Sequence, residues 1–163
     1  MKIYLARPIS GKTKDNVFDN YLRTIEWLSG RNVQILCPMM GKNFLRTDPN
    51  EKYKPVDNLH PITTNHAIFE RDIWMVKQSD VIFMDLIDAD HVSIGCIMEL
   101  AIAASEEKHT ILAMEEGNIH EHAFVVEAAD IRFYTYDDAI EYLLKLTISE
   151  PIPLANMLRQ VES

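Results

Sequence analysis

The stretch "DVIFMDLIDADHVSIGCIMELAIAAS" (80–105) decides how this chain folds. Val81, Ile82, Phe83, Met84 and Leu86 form an apolar run with little polar alternation, the pattern of a strand buried on both faces. A short acidic turn follows, and residues 94–106 then carry apolar side chains at helical spacing. A strand buried on both faces that leads straight into a helix is the repeating unit of a parallel sheet covered by helices. One residue breaks the pattern. Glu99 stands among Ile94, Ile97, Met98, Ala101 and Ile102, and a lone carboxylate in apolar company needs a partner or a purpose.

The alternation continues in both directions. Upstream, "KIYLA" (2–6) reads as a buried strand ending at Arg7-Pro8, and residues 14–29 repeat apolar side chains every three or four positions. "VQIL" (33–36) is a second strand, and residues 65–79 are helical. Between them, residues 39–63 lose periodicity and carry Gly41, Pro49, Pro55 and Pro61; a loop of that length in a compact domain is usually functional or mobile. Downstream come strand "TILAM" (110–114), a helix near 120–129, strand "RFYTY" (132–136) and helix 137–146. The pattern predicts a single doubly wound α/β domain over residues 1–147, with a five-stranded parallel sheet of the flavodoxin-like or Rossmann-like kind. Residues 148–163 form a tail with Pro151, Pro153 and a short helix "LANMLRQV", expected to pack on the domain or on a partner subunit.

Composition narrows the function classes. The 163 residues are 47% hydrophobic, enough for one domain with a real core. A formal charge of −9, from 16 basic and 25 acidic residues, disfavours a nucleic-acid polymer as partner, because backbone binding needs clustered Lys and Arg. Met1-Lys2 leads into a run far too short for a signal peptide or a membrane span, so no membrane association is expected. Cys37 and Cys96 are isolated; a single disulfide is formally open, but two buried thiols in a cytoplasmic protein are the expectation.

In sheets of this kind ligands bind beyond the carboxyl ends of the strands. That places residues 7–13, 38–63, 85–95 and 115–122 around one crevice, and two carboxylates are aimed at it. On helix 65–79, with Ile68 at 0°, Met75 falls at about 340°, Asp72 at about 40°, Val76 at about 80° and Phe69 at about 100°. Asp72 thus lies inside the apolar stripe, while Glu70, Arg71, Lys77 and Gln78 take the polar side. Position alone leaves two readings open, a buried aspartate capping a neighbouring loop or a group facing a ligand. Glu99 lies four residues after Gly95 and leans toward the helix start, over a residue without a side chain. Gly95 either clears a path for a ligand or allows close helix–sheet packing. Ser93 is the expected N-cap, and its helix start favours an anion. Two carboxylates at one crevice suit acetal or N-glycosidic chemistry, where one acts as nucleophile.

Three segments carry a resemblance. "IYLARPISG", "RDIWMVKQSDVIFMDL" and "SIGCIMELAIAAS" resemble, in order and spacing, the nucleoside 2-deoxyribosyltransferase family over roughly residues 1–147. The resemblance implies a retaining mechanism on a nucleoside or nucleotide, without metal or organic cofactor, in a homodimer or higher homo-oligomer whose subunits share sites. Glu99 matches the family's nucleophile. Asp72 matches the aspartate that orients base or sugar and assists proton transfer, and Tyr4 matches the tyrosine beside the nucleophile. Asp85 ends the central strand and is placed with the substrate-binding residues.

The sequence departs from the transferases in one position. Six residues before Glu99 they usually carry an aspartate that contacts the base; here it is Ser93. A serine there resembles the related 2′-deoxynucleoside 5′-phosphate N-hydrolases, where it contacts phosphate. Exchanging a carboxylate for a hydroxyl at a helix N-terminus removes repulsion toward a phosphate. Arg7, Ser10, Gly11 and Lys12 are further expected donors. Pro8 stands where those hydrolases tend to have another serine, and Asp88 or Asp90 would return a carboxylate to the site if the loop shifted.

His120 and His122 do not make a metal pair, since i,i+2 positions on a helix point apart. His122 lies instead where the transferase relatives place partner-subunit residues. Trp27 and Trp74 are expected in the core or an interface. A non-catalytic nucleotide-sensing module of the same fold remains the alternative, although a pure binder gains little from burying Glu99.

Overall fold

The computed structural model describes residues 1–42, 52 and 60–147. Most of the long 39–63 segment, and the tail with its expected helix, lie outside the described residues. The order of elements is β1 (Lys2–Ala6), α1 (Lys14–Trp27), β2 (Gln34–Leu36), a 3₁₀ turn (Pro61–Thr63), α2 (Asn65–Gln78), β3 (Val81–Asp85), α3 (Ile94–Ser105), β4 (His109–Ala113), α4 (Ala123–Glu127), β5 (Ile131–Phe133) and α5 (Tyr136–Leu146). Five strands form one sheet in the order β2-β1-β3-β4-β5, and every pairing is parallel. The expected doubly wound, flavodoxin-like arrangement is the observed one.

The run that begins the "DVIFMDL" stretch is central because it is apolar on both faces. All five residues of β3 are buried, between β1 (Ile3 opposite Val81, Ala6 opposite Met84) and β4. Alternate residues feed two cores. Ile3, Leu5, Val81 and Phe83 pack with Val17, Phe18 and Tyr21 of α1 and Ala139, Ile140 and Leu143 of α5. Tyr4, Ala6, Ile82 and Met84 pack on the other face with Met75 and Val76 of α2, Cys96 and Leu100 of α3 and Val125 of α4. Each fully buried aliphatic side chain contributes about 1.5–3 kcal/mol relative to exposure.

The chain leaves β1 toward β2 on one side and returns past β1 to β3 on the other. This reversal opens a crevice between the carboxyl ends of β1 and β3, the topological switch point.

Several boundaries differ from expectation. The helix near 120–129 contracts to Ala123–Glu127, because residues 117–121 form turns closed by Asn118 and Glu121 backbone bonds. Strand β5 ends at Phe133 rather than at residue 136, since Thr135 turns away as the N-cap of α5, its Oγ1 accepting from the Asp138 amide at 3.1 Å. Trp27 and Trp74 are 53% and 57% exposed, so neither is a core residue of this chain; both sit on outward helix faces. Phe69, placed near the apolar stripe, is likewise exposed. Cys37 and Cys96 are buried free thiols. Among the described residues no helix is long and apolar enough to cross a membrane.

Candidate active site

Glu99 is 9% exposed, and the Tyr4 hydroxyl donates to its Oε1 at 2.8 Å. Tyr4 is itself fully buried in the interior strand β1, so it brings a rigid donor to a carboxylate on a different element. Burial pushes Glu99 up to about 8; the Tyr4 bond pulls the other way, the nearby Asp72 charge adds to the rise, and Lys42 opposes it. Where Glu99 is ionised, a bond of this kind to the charged acceptor contributes about 1.5–3 kcal/mol. Tyr4 in turn is raised well above its ordinary value by burial and by the Glu99 charge, and stays a donor.

Glu99 opens onto a cavity of about 370 Å³, walled by Arg7, Ile9 and Ser10 from the first loop, Lys42 after β2, Ile68 and Asp72 of α2, and the residues from His91 to Cys96. Gly95 lines it, and among the described residues a side-chain carbon built there would meet no atom within 4 Å. Gly95 therefore does not serve close packing within this chain. It leaves open space four residues before Glu99.

Ser93 caps α3, its Oγ accepting from the Cys96 amide at 3.5 Å, and it lines the same cavity. Asp72 is 7% exposed on the inward face of α2. Its Oδ1 accepts from Arg71 Nε at 3.0 Å and Nη2 at 2.7 Å, and the same Nη2 donates to the Pro38 carbonyl at 2.7 Å. Burial pushes the Asp72 carboxyl up while Arg71 opposes this. Both readings of Asp72 have a share here: it faces the cavity, and it steadies the loop after β2 through Arg71.

The remaining expected site residues are distributed differently. Arg7 walls the cavity and pairs with Asp85 at 3.4 Å. Asp85 is buried on the other face of the sheet, its Oδ1 accepting from the Ile87 amide, and lines a second, polar crevice of about 220 Å³ with Lys12, Asn16 and Arg23. Arg7 borders both. Lys12 faces that second crevice and pairs with Asp90 at 3.0 Å, while Asp88 lines it too. Neither Asp88 nor Asp90 reaches the Glu99 cavity, so Ser93 keeps its position at the helix start. Gly11 supplies the left-handed residue (φ +79°) of the turn closed by Lys12 N to Ile9 O, beside His91 rather than on the cavity wall. His122 is exposed and caps α4, its Nδ1 accepting from the Phe124 amide.

Three contributors escaped the sequence. Lys42 follows a strand in a stretch without periodicity, yet is 1% exposed on the cavity wall. Burial pushes it down to about 8. Arg71 sits on the nominally polar side of α2 but folds back on its neighbour. His120 is 3% exposed; its Nε2 accepts from the Ser93 amide at 2.8 Å and its Nδ1 lies 2.9 Å from Asn118 Oδ1, which fixes the neutral tautomer with the proton on Nδ1. The sequence places His120 on a helix with His122; the structure puts it in the turn before α4, which begins at Ala123.

The structure superposes on a 2-deoxyribosyltransferase from Bacillus psychrosaccharolyticus with a TM-score of 0.62 and 18% identity, covering 93% of this chain and 100% of that one. It also matches a 2-deoxyribosyltransferase from Leishmania mexicana (TM-score 0.58, 20% identity, 90% and 99% covered) and a CMP N-glycosidase from Clostridium botulinum (TM-score 0.56, 14% identity, 90% and 99% covered). At these identities the likeness is one of fold. No curated protein sequence matches the chain. The sequence profile described as nucleoside 2-deoxyribosyltransferase, however, matches residues 3–139, a span that includes both carboxylates, the tyrosine and the cap of α3. The chain belongs to the nucleoside 2-deoxyribosyltransferase family.

Proposed function

We propose that this protein cleaves the N-glycosidic bond of a 2′-deoxynucleoside or its 5′-monophosphate through a glycosyl intermediate on Glu99, and passes the sugar to a second base or to water. The observation that carries the proposal is the buried Glu99 carboxylate, held by Tyr4 and facing open space at Gly95. In the reaction Glu99 attacks the anomeric carbon as the base departs, and Asp72 orients base or sugar. Tyr4 keeps the attacking oxygen in line. An acceptor then attacks the same carbon from the opposite face and restores the carboxylate.

A 5′-phosphate finds support in the cavity wall. Arg7, Ser10 and the Ser93 hydroxyl at the start of α3 are donors on that wall. Two charge-assisted bonds at about 1.5–3 kcal/mol each favour nucleotide over nucleoside. The test is incubation with deoxynucleosides and with their monophosphates, each with and without a second free base, followed by chromatography. Base exchange marks a transferase, and free deoxyribose phosphate marks a hydrolase. Ser93→Asp is expected to depress monophosphate turnover far more than nucleoside turnover; an unchanged preference would reduce Ser93 to a helix cap. No turnover of either class would favour a non-catalytic nucleotide-sensing module.

A further inference from the structure

We propose that His120 is a positioning residue for substrate choice: with Asn118 it holds Ser93 at the start of α3, where the 5′-phosphate is met, and so sets the preference for nucleotide over nucleoside. This rests on the reading that Ser93 meets the phosphate of an N-glycosidic substrate.

The chain between β3 and α3 has no regular structure from Leu86 to Ser93, and Asp88 within it takes a left-handed conformation (φ +55°). Such a loop does not fix its own far end. Its main chain is tied at Ile87 to the Asp85 carboxylate and at Ala89 to the Leu86 carbonyl, and among the described residues next at Ser93. Two side chains of a neighbouring turn close the loop at its two ends. Asn118 donates its side-chain amide to the Leu86 carbonyl at 2.8 Å, and His120 Nε2 accepts from the Ser93 amide at 2.8 Å. The two are joined to each other, since Asn118 Oδ1 accepts from the His120 main-chain amide at 2.9 Å and lies 2.9 Å from Nδ1. Both residues are buried, where such bonds meet little competition from water. Arg132 of β5 secures the turn behind them, donating to the Met114 and Glu115 carbonyls and pairing with Glu121.

What this clamp holds faces the cavity. Ser93, Ile94 and Gly95 line it together, and the first amides of a helix have no carbonyl of their own helix to bond. The Ser93 hydroxyl accepts from the Cys96 amide at 3.5 Å, which leaves its proton for a ligand oxygen. His120 does not wall the cavity itself, so it acts through Ser93. A shift of about 1 Å at the Ser93 hydroxyl is enough to forfeit a charge-assisted bond to phosphate. A nucleoside, whose 5′-hydroxyl carries no charge, loses far less from the same shift.

The experiment separates holding from folding. Glutamine places its side-chain oxygen where histidine carries Nε2, and asparagine places its amide nearer Nδ1. His120→Gln therefore keeps the acceptor for Ser93, while His120→Asn keeps only the link to Asn118. Wild type, both variants and Asn118→Ala are assayed on deoxynucleosides and on deoxynucleoside 5′-monophosphates, at a temperature where each is folded by circular dichroism. His120→Asn is expected to lose about 10–100-fold in kcat/KM on monophosphates, chiefly through KM, and to stay within a few-fold of wild type on nucleosides. His120→Gln should restore most of the monophosphate activity. Asn118→Ala, which loosens the ring without touching Ser93, should show the same split at smaller size, and it carries the test if His120→Asn does not fold. Equal losses on both substrate classes, no loss on either, or a glutamine variant as impaired as the asparagine one would overturn the proposal. The wild type tells that failure from a failure of the reading beneath it. If it releases base from nucleosides and gains nothing from a 5′-phosphate, Ser93 does not meet phosphate and the role of His120 falls with it. If it releases no base from either class, the N-glycosidic reading fails and takes this role with it.

Discussion

Glu99 is held against the preference of its surroundings for the neutral acid. Its folded value of about 8 lies above the ordinary 4.5, so between those pH values the folded protein binds the extra proton. Folding stability contributed by this group is therefore present at low pH and declines as pH rises from about 4.5 through about 8. Glu99→Gln retains an acceptor for Tyr4 and removes the buried charge. It is expected to abolish base release and yet to raise the melting temperature by a few degrees at pH 9, with little change at pH 4; melting curves at the two pH values check this. The same anomaly made the residue legible in sequence. Glu99 and Asp72 stood out because a charged group inside an apolar stripe is visible from spacing alone. Lys42 and Arg71 were not, because their roles depend on a turn and a helix that meet only in three dimensions.

At the scale of elements, α3 is the part whose placement matters most to the site. Its start is braced from outside, by the His120 ring accepting the Ser93 amide, and His120 is anchored by Asn118, whose side-chain amide donates to Leu86 O at 2.8 Å. Protonating Nε2 would set two donors against each other. Burial and the neighbouring His91 lower the His120 value below the ordinary 6.5, so its contribution to stability is complete above about pH 6.5 and is lost as pH falls toward the folded value. His120→Ala leaves the Ser93 amide without its partner and is expected to cost about 1–3 kcal/mol at pH 7.5. Between pH 7.5 and 5 the variant should lose less stability than wild type, which denaturant titrations at the two values would show. The strands and long helices were legible because apolar periodicity is strong there. The contraction to α4 and the early end of β5 were not, since Asn118, Glu121 and Thr135 act through turn and cap hydrogen bonds that periodicity does not record.

For the whole molecule, the parallel sheet followed from continuous apolar strands, and the strand order followed only once the structure was in hand. Assembly is a separate matter. Ile94 (72% exposed), Met98 (45%) and Phe124 (83%) lie on α3 and α4, Phe69 and Trp74 on neighbouring α2. Large apolar side chains in such number along adjacent helices suit burial against a second copy. A homodimer or higher homo-oligomer is expected by light scattering at micromolar concentration, and Ile94→Asp with Phe124→Asp is expected to shift it toward monomer. A fully active monomeric wild type would contradict the expectation.

The position of β1 inside the sheet, paired on both edges, sets an order of events during synthesis. Made before either of its partners, β1 pairs on one side with β2, but on the other with β3, and the Lys2 amide finds its partner in Asp80, a separation of 78 residues. A growing chain therefore carries one of its most apolar strands with an open edge until β3 has been made. Closing so long a loop is slow compared with local helix formation, and an open apolar edge invites pairing with another chain. Tyr4 lies on that strand, so the donor that holds Glu99 waits for the same closure. Tyr4 and Glu99 can come together only when β1 and β3 have paired, which makes the nascent chain, more than the finished enzyme, the state in need of protection from aggregation.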